Sequence, residues 1–203
     1  MKRKLYVLTA VTGVAFTAGV ALFGAGNGNK GIKGEANTVS TSHKIEITAK
    51  EVASCLSGAS ASSLKSGSFS HSQMTWQINN AYIDNGKICI SGGSFYNDTL
   101  AGLPSDVPGA LVGTGFTKIE FKDLVSDGPI KVTLMKDGSS TISSTTIEET
   151  TTAATKSVGL TATEKVARVK LEFTYYDDDL ENDVAVDASF TSLTFHYSCG
   201  TSS

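Results

Sequence analysis

Between His43 and Cys199, short segments with apolar side chains at every second position recur, and this period constrains the fold more than any other feature of the chain. Val169, Leu171, Phe173 and Tyr175 alternate with Arg168, Lys170, Glu172 and Thr174, which puts the two sets on opposite faces of an extended strand. Ile45, Ile47 and Ala49 alternate with Lys44, Glu46 and Thr48 in the same way, and so do Ile119 and Phe121 with Lys118, Glu120 and Lys122. Met74, Trp76 and Ile78, then Ile130, Val132 and Leu134, then Val158, Leu160 and Ala162, and finally Leu193, Phe195, Tyr197 and Cys199 repeat the pattern. About eight or nine such segments at intervals of roughly 8–14 residues, with no 3.6-residue period outside the N-terminal stretch, predict an all-β fold of two packed antiparallel sheets. A β-sandwich buries one apolar face of each strand, at about 25 cal/mol per Å² removed from water.

The punctuation between segments agrees. Asp84-Asn85-Gly86 predicts a tight hairpin turn, because Asn-Gly tolerates the positive φ that twisted strands require. Asp137-Gly138 predicts a second turn, after two strands (Lys118–Lys122 and Ile130–Leu134) expected to be neighbours. Glu51–Leu56 reads as a short turn or helix, Ser57–Ser72 as a surface connection, Gly92–Gly115, with Pro104 and Pro108, as a long loop, and Thr-rich Thr141–Thr155 as an edge strand or loop. No fixed repeat is present, which argues against a propeller or solenoid.

The N-terminus is organised differently. Lys2, Arg3 and Lys4 precede an uncharged run, Leu5–Ala25, which as a helix of about 21 residues would span roughly 30 Å of hydrocarbon. This is an export helix, and positive flanks stay on the cytoplasmic side, so the remainder is expected outside the cell or on its surface. Residues 1–36 are thus expected to be a signal peptide or an N-terminal membrane anchor with a flexible linker, and residues 37–203 the sandwich domain. Gly34-Glu35-Ala36 has small residues at both cleavage-site positions but lies about ten residues beyond the apolar run. Cleavage is the reading favoured by the weak anchor that Gly13, Gly19 and Gly24 make; a permanent tether is the alternative.

Of the three cysteines Cys55, Cys89 and Cys199, one must stay unpaired. Cys55 and Cys199 flank the expected domain, whose ends are expected to be close, so a Cys55–Cys199 disulfide is the first expectation. Three reduced core thiols are the other reading.

Twenty acidic side chains against seventeen basic ones give a net charge of −3, leaving no basic field for a nucleic-acid backbone or an anionic membrane. Any membrane contact is expected through the N-terminal segment alone. Asp177, Asp179, Glu181 and Asp183 form an acidic cluster whose mutual repulsion a hard cation relieves, so a structural Ca²⁺ is a candidate cofactor. The loop departs from an EF-hand at Asn182, where glycine belongs, and at Ala188, where the bidentate glutamate belongs. A solvated acidic turn is the plainer reading. Phe95-Tyr96 and Tyr175-Tyr176 are candidate ligand-binding aromatics, since a pyranose face stacks on a flat ring and one member of each pair must face outward. Trp76 and Tyr197 share the inward parity of their strands and read as core. His43, His71 and His196 are isolated, no nucleophile or zinc motif is present, and Gly113-Thr114-Gly115 leads into a strand rather than a helix, so no catalytic residues are assigned.

The strands Trp76–Ile90, Gly115–Phe121 and Phe190–Tyr197, with the penultimate Arg168-Val169 pair, resemble extracellular jelly-roll β-sandwich modules of the galactose-binding-like, carbohydrate-binding class. The resemblance implies a last strand packed beside the first, and a non-enzymatic module that binds carbohydrate or another cell-surface ligand through loops or a concave sheet. The other function in view is a structural or adhesive surface protein that assembles by strand pairing along Thr141–Thr155.

Overall fold

The alternating segments are strands, except that the segment through Val158, Leu160 and Ala162 leaves its strand after Gly159, with Leu160 beyond it and Ala162 outside the described residues. The computed structural model describes residues 41–72, 74–98, 116–136, 139–161 and 168–199, all within one unit, Ala36–Ser203. In chain order these form β1 (Thr41–Thr48), α1 (Ala49–Val52), β2 (Lys65–His71), β3 (Met74–Asp84), β4 (Lys87–Asp98), β5 (Phe116–Ser126), β6 (Ile130–Met135), β7 (Thr141–Ile147) and β8 (Thr150–Gly159). Then follow β9 (Arg168–Glu172), β10 (Thr174–Asp177), β11 (Asn182–Ala185), β12 (Asp187–Phe190) and β13 (Ser192–Cys199). The export segment, the Asp137-Gly138 turn, Gly113-Thr114-Gly115 and most of the expected loop before β5 lie outside the described residues.

All pairings are antiparallel, and they build two layers. In the first, β5 lies between β8 and the nearly continuous β12–β13, which in turn pairs with β1 and with the first half of β4. In the second, β2 pairs with β3, the far half of β4 pairs with β9, and β6 joins β9 to β7. The β3–β4 hairpin belongs to both. Asn85 (φ 48°) and Gly86 (φ 77°) make its tight turn, as the sequence required.

Partway along, both hairpin strands bend together. Asn80, at φ 53°, stands alone between Asn79 and Ala81 of β3, where the register shifts, and faces three residues of β4, Ser91 to Gly93. Opposite it, Gly92 (φ 58°) and Gly93 carry β4 around the corner. A Cβ on Gly93 would lie 2.0 Å from the Asn79 carbonyl oxygen, so only glycine lets the two backbones approach this closely. Backbone hydrogen bonds continue through the corner, from Phe173 N to the Gly93 carbonyl (2.9 Å) and from Gly92 N to the Val186 carbonyl (3.2 Å). A strand that changes layers at a bulge is a recurrent way to close one side of a sandwich.

The core lies between the layers. Trp76 and Phe95 from the second layer meet Phe195 of the first, with ring centroids 4.8 and 6.2 Å apart. Phe116 meets Phe195 at 5.8 Å, edge to face. Trp76 is fully buried, and its indole N–H donates to the His71 carbonyl (3.1 Å). Tyr197 is partly buried against the same cluster.

Several expectations are corrected. Ser57–Ser72 is not all connection, because β2 runs through it; with Phe69 as its one core side chain, it shows no alternation to read. The stretch from Gly92 to Asp98 is the far half of β4 and not the start of a loop. β5 and β6 are not neighbours: the chain crosses between layers at Asp127–Pro129, so they face each other across the core. The Cys55–Cys199 disulfide is not formed, and Cys55 is a free thiol. Cys199 pairs with Thr41 at one end of β1, whereas Cys55 follows Thr48 at the other end and packs against Gly67 of β2. Eight extended residues separate these ends by roughly 23 Å, far beyond disulfide reach.

Candidate functional site

The outward side chains of the second layer make a polar sheet face centred on Tyr96. The register Gln77↔Tyr96↔Lys170 sets three residues in a row across β3, β4 and β9, and Asn79↔Ser94↔Glu172 sets the next row. β6 continues it, with Thr133 opposite Lys170 and Met135 opposite Arg168. Apart from Met135, these positions are polar, and the opposite parity, Ile78, Phe95, Leu171 and Val132, fills the core.

Hydrogen bonds and ion pairs hold the face. The Arg168 guanidinium lies over the Tyr96 ring, 5.0 Å from its centroid, an arrangement that attracts cation to ring face. Its Nε donates to the Asn97 carbonyl (3.2 Å), and its Nη2 lies 3.5 Å from Asp98 Oδ1. Gln77 Nε2 donates to the other Asp98 oxygen (3.4 Å). Asn79 Nδ2 donates to Ser94 Oγ (2.9 Å), and Lys170 Nζ to Glu172 Oε1 (2.8 Å). Beneath them Asn97 is buried, and its Oδ1 accepts from Val169 N at 2.7 Å, completing the ladder where β9 begins. Arg168 has a side-chain exposure of 12%, so its charge acts in a partly dehydrated setting where its hydrogen bonds are strengthened. Asn79, Ser94, Tyr96, Met135, Arg168 and Lys170 line a depression of about 240 Å³ on this face.

Of the aromatic pairs, Tyr96 faces outward and Phe95 does not. Phe95 is fully buried between Trp76 and Phe195, so it is a core residue and cannot touch a ligand. Tyr175 and Tyr176 lie elsewhere, past the bend at Phe173, in the separate two-stranded β10–β11 ribbon. Tyr176 is 59% exposed, while Tyr175 leans on the core and its ring borders Gly128. The structure therefore does not unite the two pairs. What sequence reasoning missed is the company of Tyr96: Arg168, Asn79, Asp98 and Gln77 are chemically apt, and their outward parity was legible, but their juxtaposition follows from the β4–β9 pairing of non-consecutive strands.

The acidic cluster is the turn of the β10–β11 ribbon. Asp177 Oδ1 accepts from the backbone N–H of Asp179 (2.9 Å) and Leu180 (3.1 Å), and Glu181 takes φ 52°. That local closure is the kind that aspartate turns make. Among the described residues, no three His, Cys, Asp or Glu side chains are grouped to hold a metal ion. His196 lies on the outer face of the first layer, between Lys44 of β1 and Lys118 of β5. Burial, then the Lys118 charge, pulls its pKa below the usual histidine value, and its Nε2 is buried without a partner.

No family model matches the chain, and no curated protein matches it. Solved structures do. Its structural neighbours are carbohydrate-binding modules. It is similar to a family 29 carbohydrate-binding module mutant complexed with mannohexaose (11% identity, 77% of this chain and 92% of that one, TM-score 0.43). A second mutant of that module is 12% identical over 65% of this chain and 87% of its own, with a TM-score of 0.41. A further mutant, complexed with cellulohexaose, is 10% identical over 77% and 91%, with a TM-score of 0.40.

Proposed function

We propose that the protein is a non-catalytic module displayed outside the cell that binds carbohydrate on the outer face of its second layer. One observation carries the reading: Tyr96, the arginine stacked on it, Asn79 and Lys170 line one shallow depression, and Asp98 and Gln77 hydrogen-bond each other next to that arginine. A sugar ring offers an apolar face to an aromatic ring and pairs of neighbouring hydroxyls to planar polar groups. Asn79, Gln77, Asp98 and Arg168 supply donors and acceptors at strand-to-strand spacing, already oriented by hydrogen bonds, Asn79 to Ser94 and Gln77 and Arg168 to Asp98, which lowers the entropy cost of binding. What supports export is the sequence pattern of Lys2, Arg3 and Lys4 followed by the uncharged run 5–25.

A glycan array followed by calorimetry tests this reading. Saturable binding that Tyr96→Ala weakens at least about tenfold, ~1.4 kcal/mol, is the expected result. Absence of binding to any saccharide removes it.

A second reading, assembly by strand pairing, is favoured by the edges. β7 and β8 are each paired along one side. β7, Thr-Ile-Ser-Ser-Thr-Thr-Ile, carries no charge and no proline, the usual guards of a free edge. By contrast β1 and β2, the other edges, carry His, Lys and Glu or Lys and His. A stable monomer in size-exclusion chromatography and by electron microscopy argues against assembly; filaments that Thr145→Lys abolishes argue for it.

A further inference from the structure

The first layer has a trough across its outer face, of about 530 Å³, twice the volume of the depression around Tyr96. Its floor crosses four neighbouring strands, β3, β4, β12 and β5, about 15 Å of sheet at the usual strand spacing. Tyr82, Cys89, Val125 and Ser189 line that floor. Leu64 walls one end and Thr151 of β8 the other. Leu64 is one of the few exposed large apolar side chains among the described residues.

Two carboxylates stand on this trough. Asp187 accepts from Ser91 Oγ, and its backbone N–H donates to Asp127 Oδ1 at 2.8 Å. These bonds engage one oxygen of each carboxylate where both residues line the trough, and leave the other oxygen of each without a hydrogen bond in this network. Among the described residues, no lysine or arginine forms an ion pair with either acid. Lys87, the base on this stretch of β4, lies two residues before Cys89 and opposite Asp84 across the hairpin. The Tyr82 phenol on this floor has its pKa raised, first by Cys89 and burial and last by Asp84 and Asp187.

We infer that this trough is a second binding site, for a small organic amine whose ammonium bridges Asp127 and Asp187 while its apolar body lies on Val125 and against Leu64. The argument is charge complementarity over an apolar floor. Two fixed carboxylates with no basic partner favour a cation, and an ammonium has three donors to share between them. A cavity of this volume matches a small-molecule site, with few polar groups set in apolar walls. A neutral sugar would leave the acids unmatched and lay hydroxyls on apolar side chains, which disfavours it here.

Calorimetry and NMR on the full chain, with three probes sharing one body, test the proposal. Phenylbutylamine, protonated at neutral pH as a lysine ammonium is, is expected to bind about tenfold or more tightly than phenylbutanol, with phenylbutyrate weaker still. Its amide shifts should centre on Tyr82, Cys89, Val125 and Ser189. Asp127→Asn with Asp187→Asn keeps the acceptor oxygens that Ser91 and the Asp187 amide use, and should erase the preference for amine over alcohol while leaving the melting curve in place. If that pair unfolds the chain, Ser189→Trp, which fills the floor, is expected to block the amine instead. No saturable amine binding, equal affinity for amine and alcohol, a preference that survives the double substitution, or shifts centred on Tyr96 would each overturn the proposal.

Discussion

The two outer faces of the sandwich are built from the same kind of alternating strand, yet the depression on one and the trough on the other treat charge in opposite ways. On the second layer, Arg168 is matched by Asp98, and Lys170 and Lys131 by Glu172, which leaves a preorganised polar lattice around one ring. On the first, Asp127 and Asp187 sit above an apolar floor with no matched base among the described residues. Parity decides which side chains leave the core, and register decides which of them meet. One face is therefore suited to a neutral, hydroxyl-rich partner and the other to a cation.

Substitutions can break this comparison at its common origin or sharpen it on one side. The largest effect belongs to Gly93→Ala. The added carbon would collide with the Asn79 carbonyl at the corner both layers share, so we expect a loss of at least about 3 kcal/mol, read by urea unfolding. An unchanged midpoint would show that the corner relaxes easily. Next comes Arg168→Ala, which removes the cation from Tyr96 and the hydrogen bond to the Asn97 carbonyl. Saccharide affinity should fall at least about tenfold, with about 1–2 kcal/mol of stability, while phenylbutylamine binding in the trough stays as it was. Equal damage at both sites would mean the faces are coupled through the core. Lys170→Ala should change stability by less than about 1 kcal/mol, because partly exposed pairs are screened, and differential scanning calorimetry in low and high salt would detect anything larger.

The smallest effect is a pH dependence on the first layer. His196 has a folded pKa below its unfolded value, so the unfolded chain binds the proton first. Its contribution is fully present above the unfolded value, near pH 6.5, and is lost as pH falls from there through the folded pKa. His196→Gln should therefore flatten the decline of the melting temperature below that pH. A wild-type and variant decline of equal slope would contradict the assignment.

The sequence was most legible where a strand has one wet face. β1, β3, β5, β6, β9 and β13 announce themselves by alternation, and the Asn85-Gly86 turn by its φ requirement. β2 did not, since Phe69 alone is core, and neither did β11 and β12, which are too short to show a period. Layer assignment was hidden as well: β5 and β6 are consecutive and similar, and nothing in their residues says that the chain crosses the core between them. The same gap affected the site. Tyr96 was visible as an aromatic beside its inward neighbour Phe95, but which of the two faced out, and that Arg168, more than seventy positions later, would stack on it, depended on strand pairing. Cys55 and Cys199 misled because nearness to the two ends of a domain says nothing about which end of β1 each occupies.

The molecule is bound like a book. Along its spine, the β3–β4 hairpin runs from one cover to the other around Asn80 and Gly93, with main-chain pairing on both sides of the corner. At the fore-edge, β7 and β8 belong to different covers, and the hydroxyl of Ser143 reaches the carbonyl of Thr161 as a clasp between them. Heat, force or a protease would pry the pages apart from the clasp inward, and the hinge would be the last part to give way.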